Sequence, residues 1–172
     1  MIVPKKQKRI FDHRDSNATS GGLKIESADL SSEFVYLQHN RLSDMSFLEG
    51  FKAAVEVDLS GNQFKVPCRF DSLTSLQTLK LAHNQLTVAP NLLATQTRHL
   101  DLSHNKLTIL EGTSPLKQLR TLNASNNAIS KINEHSLQSP VNSKARRIGP
   151  LPKLPQRYFK TEFRSVFKFN RN

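Results

Sequence analysis

Three histidines stand at the same point of a recurring frame in this 172-residue chain: His39, His83 and His104, the first two followed by Asn40 and Asn84 and the third by Asn105. Imidazoles at matched positions could hold a transition metal if their nitrogens converged on one point about 2 Å away. The spacing argues against convergence. His83 and His104 fall in successive segments, but Gly61 takes that place in the segment between His39 and His83. The single cysteine, Cys68, joins none of them, and Asp101 alternates away in position. The expectation is no metal and no cofactor, with Cys68 a buried or half-buried small side chain. Nucleophilic catalysis fares no better. Ser, His and Asp side chains occur without a G-x-S-x-G, H-E-x-x-H or paired C-x-x-C motif, and there is no glycine-rich phosphate loop. We expect a protein that is not an enzyme, so the chemistry to look for is recognition.

The elements that would position recognition residues come from a repeat. Five segments share one frame: SEFVYLQHNRL (32–42), AVEVDLSGNQF (54–64), LQTLKLAHNQL (76–86), TRHLDLSHNKL (97–107) and LRTLNASNNAI (119–129). Their asparagines, Asn40, Asn62, Asn84, Asn105 and Asn127, are spaced by 22, 22, 21 and 22 residues. Alternation such as Leu79-x-Leu81 and Leu100-x-Leu102 is the two-residue period of a short strand with one buried face. Stacked coils would lay these strands in a parallel sheet. An asparagine at the following turn can bury its amide only if backbone groups of its own and neighbouring coils satisfy it, because an unpaired buried amide is costly. The asparagines are therefore read as scaffold. After each one, Leu42, Met45 and Leu48, or Leu107 and Leu110, or Ile129 and Ile132, recur at a three- to four-residue spacing that predicts short helical or 3₁₀ turns on the outer face. Pro67 and Pro90 argue for extended or turn structure in the second and third coils.

On these segments, SLQTLKLAHNQL most clearly, the chain resembles the leucine-rich repeat family, in its 22-residue, SDS22-like intracellular type, over about residues 30–140. The resemblance implies an α/β leucine-rich repeat solenoid of about five repeats, with short parallel strands on the concave face and helical, 3₁₀ or irregular turns on the convex face. It also implies the family's usual business: non-enzymatic adaptors, regulatory subunits, cytoskeletal or ciliary components, and in one instance a spliceosomal protein. Histidine before the asparagine is common in such repeats.

In frame, the outward strand residues include Phe34 and Tyr36, Glu56 and Asp58, Lys80, and His99 and Asp101. The face they form is mixed in sign and polar, unlike a phosphate-binding groove. Phe34 and Tyr36 are either an interface anchor or the surface over which the first 30 residues fold as a cap; Leu23, Ile25 and Leu30 could supply an extra strand there. The expected organisation is an N-terminal extension and cap over 1–30, the repeat domain over 31–142 and a basic extension over 143–172.

Charge singles out the last part. The net +11 is uneven: residues 143–172 hold nine basic side chains and one acidic, whereas 31–142 hold ten and nine. No sixth strand motif is legible after Asn127. GPLPKLP should be extended, and from Arg157 the phenylalanines Phe159, Phe163 and Phe167 recur every four residues beside Lys160, Arg164 and Lys168. That spacing predicts a basic amphipathic helix of about three turns. Its phenylalanines either close the last coil or dock into a partner, while Arg146, Arg147, Arg157 and the helix cations meet an acidic protein surface or RNA.

A basic cluster after a short apolar run at MIVPKKQKRI is the reverse of a secretory signal, and no run is long enough to span a membrane. The sequons at Asn17 and Asn123 are read as chance matches. The expectation is a cytoplasmic protein, in the cytoskeleton or cilium, or alternatively a nuclear one. Its function is expected to be that of a protein-binding scaffold or structural subunit of a larger assembly, cytoskeletal or axonemal. The alternative is an RNA-associated subunit of a ribonucleoprotein complex.

Overall fold

The computed structural model describes residues 9–92, 96–110, 119–132, 146–148 and 167–169; residues 131–132, 146–148 and 167–169 are described as backbone. Each repeat segment contributes one three-residue strand. In chain order the strands are β1 (Ile10–Asp12), β2 (Phe34–Tyr36), β3 (Glu56–Asp58), β4 (Thr78–Lys80), β5 (His99–Asp101), β6 (Ile109–Leu110), β7 (Thr121–Asn123), β8 (Lys131–Ile132), β9 (Arg146–Ile148) and β10 (Phe167–Phe169). Eight form one parallel sheet in the order β1-β2-β3-β4-β5-β7-β9-β10, and β6 pairs with β8 in a second. Every pairing is parallel and in register, so equivalent residues of successive coils stand side by side.

Burial explains why such short strands persist. The middle residue of each, Phe11, Val35, Val57, Leu79, Leu100 or Leu122, points into the core, as do Leu37, Leu59, Leu81 and Leu102 just beyond. Phe51, Phe64 and Phe70 fill the space behind them. Each such side chain contributes about 1.5–3 kcal/mol when buried, and no coil could bury its own apolar edge alone.

The asparagines tie the coils together. Asn62 Nδ2 donates to its own coil at Leu59 O (3.0 Å) and to the preceding coil at Leu37 O (2.9 Å), while its Oδ1 accepts from Leu42 N–H of that preceding coil (3.0 Å). Asn40, Asn84, Asn105 and Asn127 repeat the arrangement. The residue before each asparagine has left-handed backbone: His39, His83, His104 and Asn126 at φ 57°, 54°, 53° and 55°, and Gly61 at 68°. Asparagine and glycine tolerate that conformation best. At Gly61 a Cβ would also stand 2.8 Å from His39 Nδ1, so the glycine makes room for the histidine ring of the coil before.

Four expectations change at this level. The extra N-terminal strand is Ile10–Asp12; Leu23 and Ile25 instead pack against the core, and Leu30 lies in the 3₁₀ turn Asp29–Ser31. The first coil carries Ser16 in place of the ladder asparagine, so the asparagine spacing does not mark it; among the described residues the Ser16 hydroxyl donates to Arg14 O (3.1 Å). On the outer face, a 3₁₀ turn forms at Ser46–Gly50, but Ile109–Leu110 and Lys131–Ile132 form a parallel ladder rather than helical turns. Successive coils offer each other backbone partners there, as in Ser130 N–H to Thr108 O (2.9 Å), which a lone turn lacks. Among the described residues, the segments with Pro67 and Pro90 contain no helix, as expected. The sheet also continues beyond the fifth repeat. Asn123 pairs with Arg147, and Arg146–Ile148 pairs with Phe167–Phe169. Phe167 and Lys168 are thus in a strand and not in the predicted helix: Phe-Lys-Phe suits the two-residue period, and an open sheet edge supplies the hydrogen bonds. The remainder of that predicted helix, with Arg157, Phe159, Lys160, Phe163 and Arg164, lies outside the described residues.

Truncating the ladder should be severe. Asn84→Ala removes the acceptor of the buried Phe64 N–H and the bond that crosses to Leu59 O of the preceding coil, so unfolding free energy should fall by about 2–4 kcal/mol. Urea titration followed by circular dichroism measures it; a loss below about 1 kcal/mol would mean that the amides do not tie the coils.

Candidate binding face

The strands display two rows of outward side chains, because parallel register keeps like positions adjacent. One row runs Ile10, Phe34, Glu56, Thr78, His99 and Thr121; the other runs Asp12, Tyr36, Asp58, Lys80, Asp101 and Asn123. Of the residues expected to bind a partner, Phe34, Tyr36, Glu56, Asp58, Lys80, His99 and Asp101 therefore share one face. Arg147 stands in register with Asn123 and Lys168 with Arg147, while Arg146 pairs with Phe167.

Electrostatics differ along the face. Lys80 Nζ reaches Glu56 Oε1 at 3.0 Å and Asp58 Oδ2 at 3.5 Å. Partial burial works against the lysine charge, but the bond to Glu56 and the Asp58 carboxylate together outweigh it and hold the pKa above the ordinary lysine value. With the Lys80 side chain 42 % exposed, solvent screens the pair and its net worth is small. Next to it, Asp101 has its oxygens engaged: Oδ1 accepts from Ser103 N–H (2.9 Å) and Oγ (2.6 Å), and Oδ2 accepts from Asn123 Nδ2 (3.2 Å). Asp58 Oδ1 takes Ser60 N–H (3.1 Å) and Asn123 Oδ1 takes Ser125 Oγ (2.8 Å) in the same way. The recurrent D-x-S or N-x-S after the strand is a local turn bond, a structural duty that the sequence frame did not disclose.

At the N-terminal end, Phe34 and Tyr36 lie 6.4 Å apart between ring centres, both half-buried. β1 pairs beside β2 and caps the sheet edge, with Phe11 packed on Phe51 at 5.3 Å. The first coil also adds three residues to the face: Ile10 and Asp12 from β1, and Arg14 just after it. Their signal in the sequence was the alternation I-F-D-H-R one coil before F-V-Y-L-Q. Arg14 bonds Asp12 (Nη2–Oδ2 2.7 Å) and stands 5.5 Å from the Tyr36 ring centre. The hydrogen bond from Arg14 holds the Asp12 carboxyl below its usual range, against some desolvation. Burial, then the Glu56 charge, raises the Tyr36 phenol.

Over β4, β5 and β7 the face forms an open groove of about 410 Å³ lined by Thr78, Lys80, His99, Asp101, Thr121 and Asn123. His99 Nδ1 contacts Thr121 Oγ1 at 2.8 Å, but Asp101 is spent on Ser103 and Asn123 and orients neither. The ladder histidines sit elsewhere, at the turn: the His83 and His104 rings stack at 4.0 Å with 12° between planes. Stacked rings direct their nitrogens along parallel planes, and among the described residues no three His, Cys, Asp or Glu side chains group to hold a metal ion.

The comparisons agree with this architecture. The leucine-rich repeat family pattern matches residues 96–116, which contain β5 and Asn105. The 187-kDa microtubule-associated protein AIR9 of Arabidopsis thaliana is 38% identical over 98 residues, 51% of this chain and 6% of that protein. Lumican of Rattus norvegicus is 41% identical over 81 residues, 43% of this chain and 23% of that protein. The functional domain of InlJ from Listeria monocytogenes superimposes with a TM-score of 0.68 at 18% identity, covering 86% of this chain and 32% of that one. The fold is a leucine-rich repeat solenoid. The chain spans a minor part of the length of these relatives. In leucine-rich repeat solenoids generally, the concave sheet face is a protein-binding scaffold surface.

Cys68 lies off this face, half-buried in a cleft with Pro67, Arg69, Asp71, Ala89 and Asn91. Burial, then the Glu49 charge, pushes its thiol up to about 12. Alkylation needs the thiolate, so the folded protein should react far more slowly at pH 8 than the urea-unfolded chain, and its rate should climb only as pH rises toward 12. Equal iodoacetamide rates in the two states would contradict the burial.

Proposed function

We propose that the protein is a non-enzymatic scaffold subunit of a cytoplasmic, cytoskeletal assembly, of the 22-residue intracellular repeat type. The observation that carries the binding reading is the pair of in-register rows on the concave face, where aromatic, charged and polar side chains of six coils stand side by side. Two features support the cytoskeletal setting. One relative, alike over about half of this chain, is named a microtubule-associated protein. The charge of residues 143–172, nine basic against one acidic side chain, suits an acidic protein surface. The ribonucleoprotein alternative draws on the same charge, but from β1 to β7 the concave face carries more carboxylates than cations, which disfavours phosphates there.

Co-pelleting of the full chain with microtubules across a salt series is the test. We expect binding that weakens with salt and drops about tenfold when Arg146, Arg147, Lys160, Arg164 and Lys168 are all changed to Gln. Binding to polynucleotide with no microtubule pelleting would overturn the cytoskeletal reading. So would an endoglycosidase-sensitive glycan at the exposed Asn17 of the native protein, which would remove it from the cytoplasm.

A further inference from the structure

The N-terminal corner of the concave face already holds a cation against an aromatic ring. The Arg14 guanidinium stands 5.5 Å from the Tyr36 ring centre. Asp12 fixes it there through Nε–Oδ1 (2.9 Å) and Nη2–Oδ2 (2.7 Å). Both partners of that ion pair are substantially exposed, at 49% and 37%, so the pair is screened and the arginine can leave at little cost. Around the ring are Phe34, the half-exposed Ile10 in register with it, and the carboxylates Glu56 and Asp58 in register with Phe34 and Tyr36. The corner thus pairs flat apolar surface with negative charge. The face as a whole agrees in sign. Its outward positions from β1 to β7 carry Asp12, Glu56, Asp58 and Asp101 against Arg14 and Lys80, in a chain whose net charge is +11.

We propose that Tyr36, with Phe34 and Glu56, forms a seat for an arginine or lysine side chain of a basic, extended segment in a protein partner, and that Arg14 fills this seat while the partner is absent. The inference rests on the concave face being the binding surface and names the chemistry of what binds there. A cation over an aromatic ring beside a carboxylate gains from the ring quadrupole and from charge pairing together, and gains more once water is excluded. A segment crossing the coils meets a new strand about every 4.8 Å, so an extended chain can place successive side chains on successive coils. Asp101 is a poorer second seat, because Ser103 and Asn123 already engage both its oxygens. Glu56 gives one oxygen to Lys80, which places the lysine at the rim of the seat. An acidic segment would meet like charge here, and its place on this molecule is the basic C-terminal extension. The scaffold would then join two surfaces of opposite sign.

The test uses the full-length chain and three fluorescent peptides: an arginine–serine repeat, its uncharged citrulline–serine isostere and a glutamate–serine repeat. On the proposal, the arginine peptide binds about tenfold or more tighter than the citrulline peptide, and Tyr36→Ala and Glu56→Gln each weaken it about three- to tenfold. Arg14→Ala should strengthen it about two- to fivefold by emptying the seat, an effect that a merely structural Arg14 would not produce. Equal affinity for the citrulline peptide, or weakening by Arg14→Ala, overturns the proposal. So does self-association in light scattering that Tyr36→Ala abolishes, since the seat then belongs to the basic tail of a second copy. Unchanged microtubule pelleting by the Tyr36 and Glu56 variants separates a failure here from a failure of the scaffold reading.

Discussion

A primary amide buried between two turns of chain is the interaction on which this molecule depends. Strands of three residues offer few backbone hydrogen bonds, and the polypeptide must change direction immediately after each one. The asparagine side chain supplies the partners that backbone geometry cannot reach there: two donors for carbonyls of its own coil and the one before, and an acceptor for the amide of Leu42, Phe64, Leu86 or Leu107 in the preceding coil. Because each amide spans a pair of coils, it sets their relative position as well as their separation. Register follows, and with it the alignment of outward residues into rows. The binding surface is an indirect product of a hydrogen-bond requirement on the opposite side of the strand.

The rows have unequal chemical freedom. Residues two positions before a serine, Asp58, Asp101 and Asn123, lend a side-chain oxygen to the turn that follows their own strand. They hold the strand ends square and keep less capacity for a visitor. Glu56 has no such turn bond and gives one oxygen to Lys80. The charge of the face is consequently not spread evenly in effect, even where the residue types look alike along the row: Glu56 and Asp101 are both carboxylates, but only one has much bonding capacity to spare.

Most of the sheet could be read from leucine alternation and the asparagine spacing, since both arise from burial requirements that act on single coils. Seven of the residues singled out on the concave face followed from the same two-residue period. What escaped reading were features that depend on a neighbour. Ile10–Asp12 is a strand because β2 offers an edge; its coil has Ser16 where an asparagine would announce it. Arg146–Ile148 and Phe167–Phe169 lack the leucine pattern and are strands through backbone pairing. Phe159, Phe163 and Phe167 do fall on a helical period, but a period of four over three residues constrains little, and Phe167-Lys168-Phe169 fits a strand equally well. The β6 and β8 ladder likewise needed the next coil to exist before Ile109 and Lys131 could find partners. The turn bonds after the strands stand in the sequence as two D-x-S and one N-x-S, but the leucine frame alone does not mark them.

The coils differ in length. Ile10 to Phe34 is a step of 24 residues, Phe34 to Glu56 one of 22, and Thr78 to His99 one of 21. Yet the strands meet residue for residue. All the slack is therefore taken up on the outer arc, between the asparagine and the next strand, where the chain runs variously as a 3₁₀ turn, a proline-bearing extended stretch or a short ladder. The inner arc is an invariant ruler and the outer arc an expansion joint. A duplication or loss of a residue between positions 65 and 75 changes the local curvature and the convex outline, whereas the same event between 56 and 62 displaces every contact downstream. Length variation is partitioned in this architecture by circumference, and the concave rows remain in step because the convex side absorbs the difference.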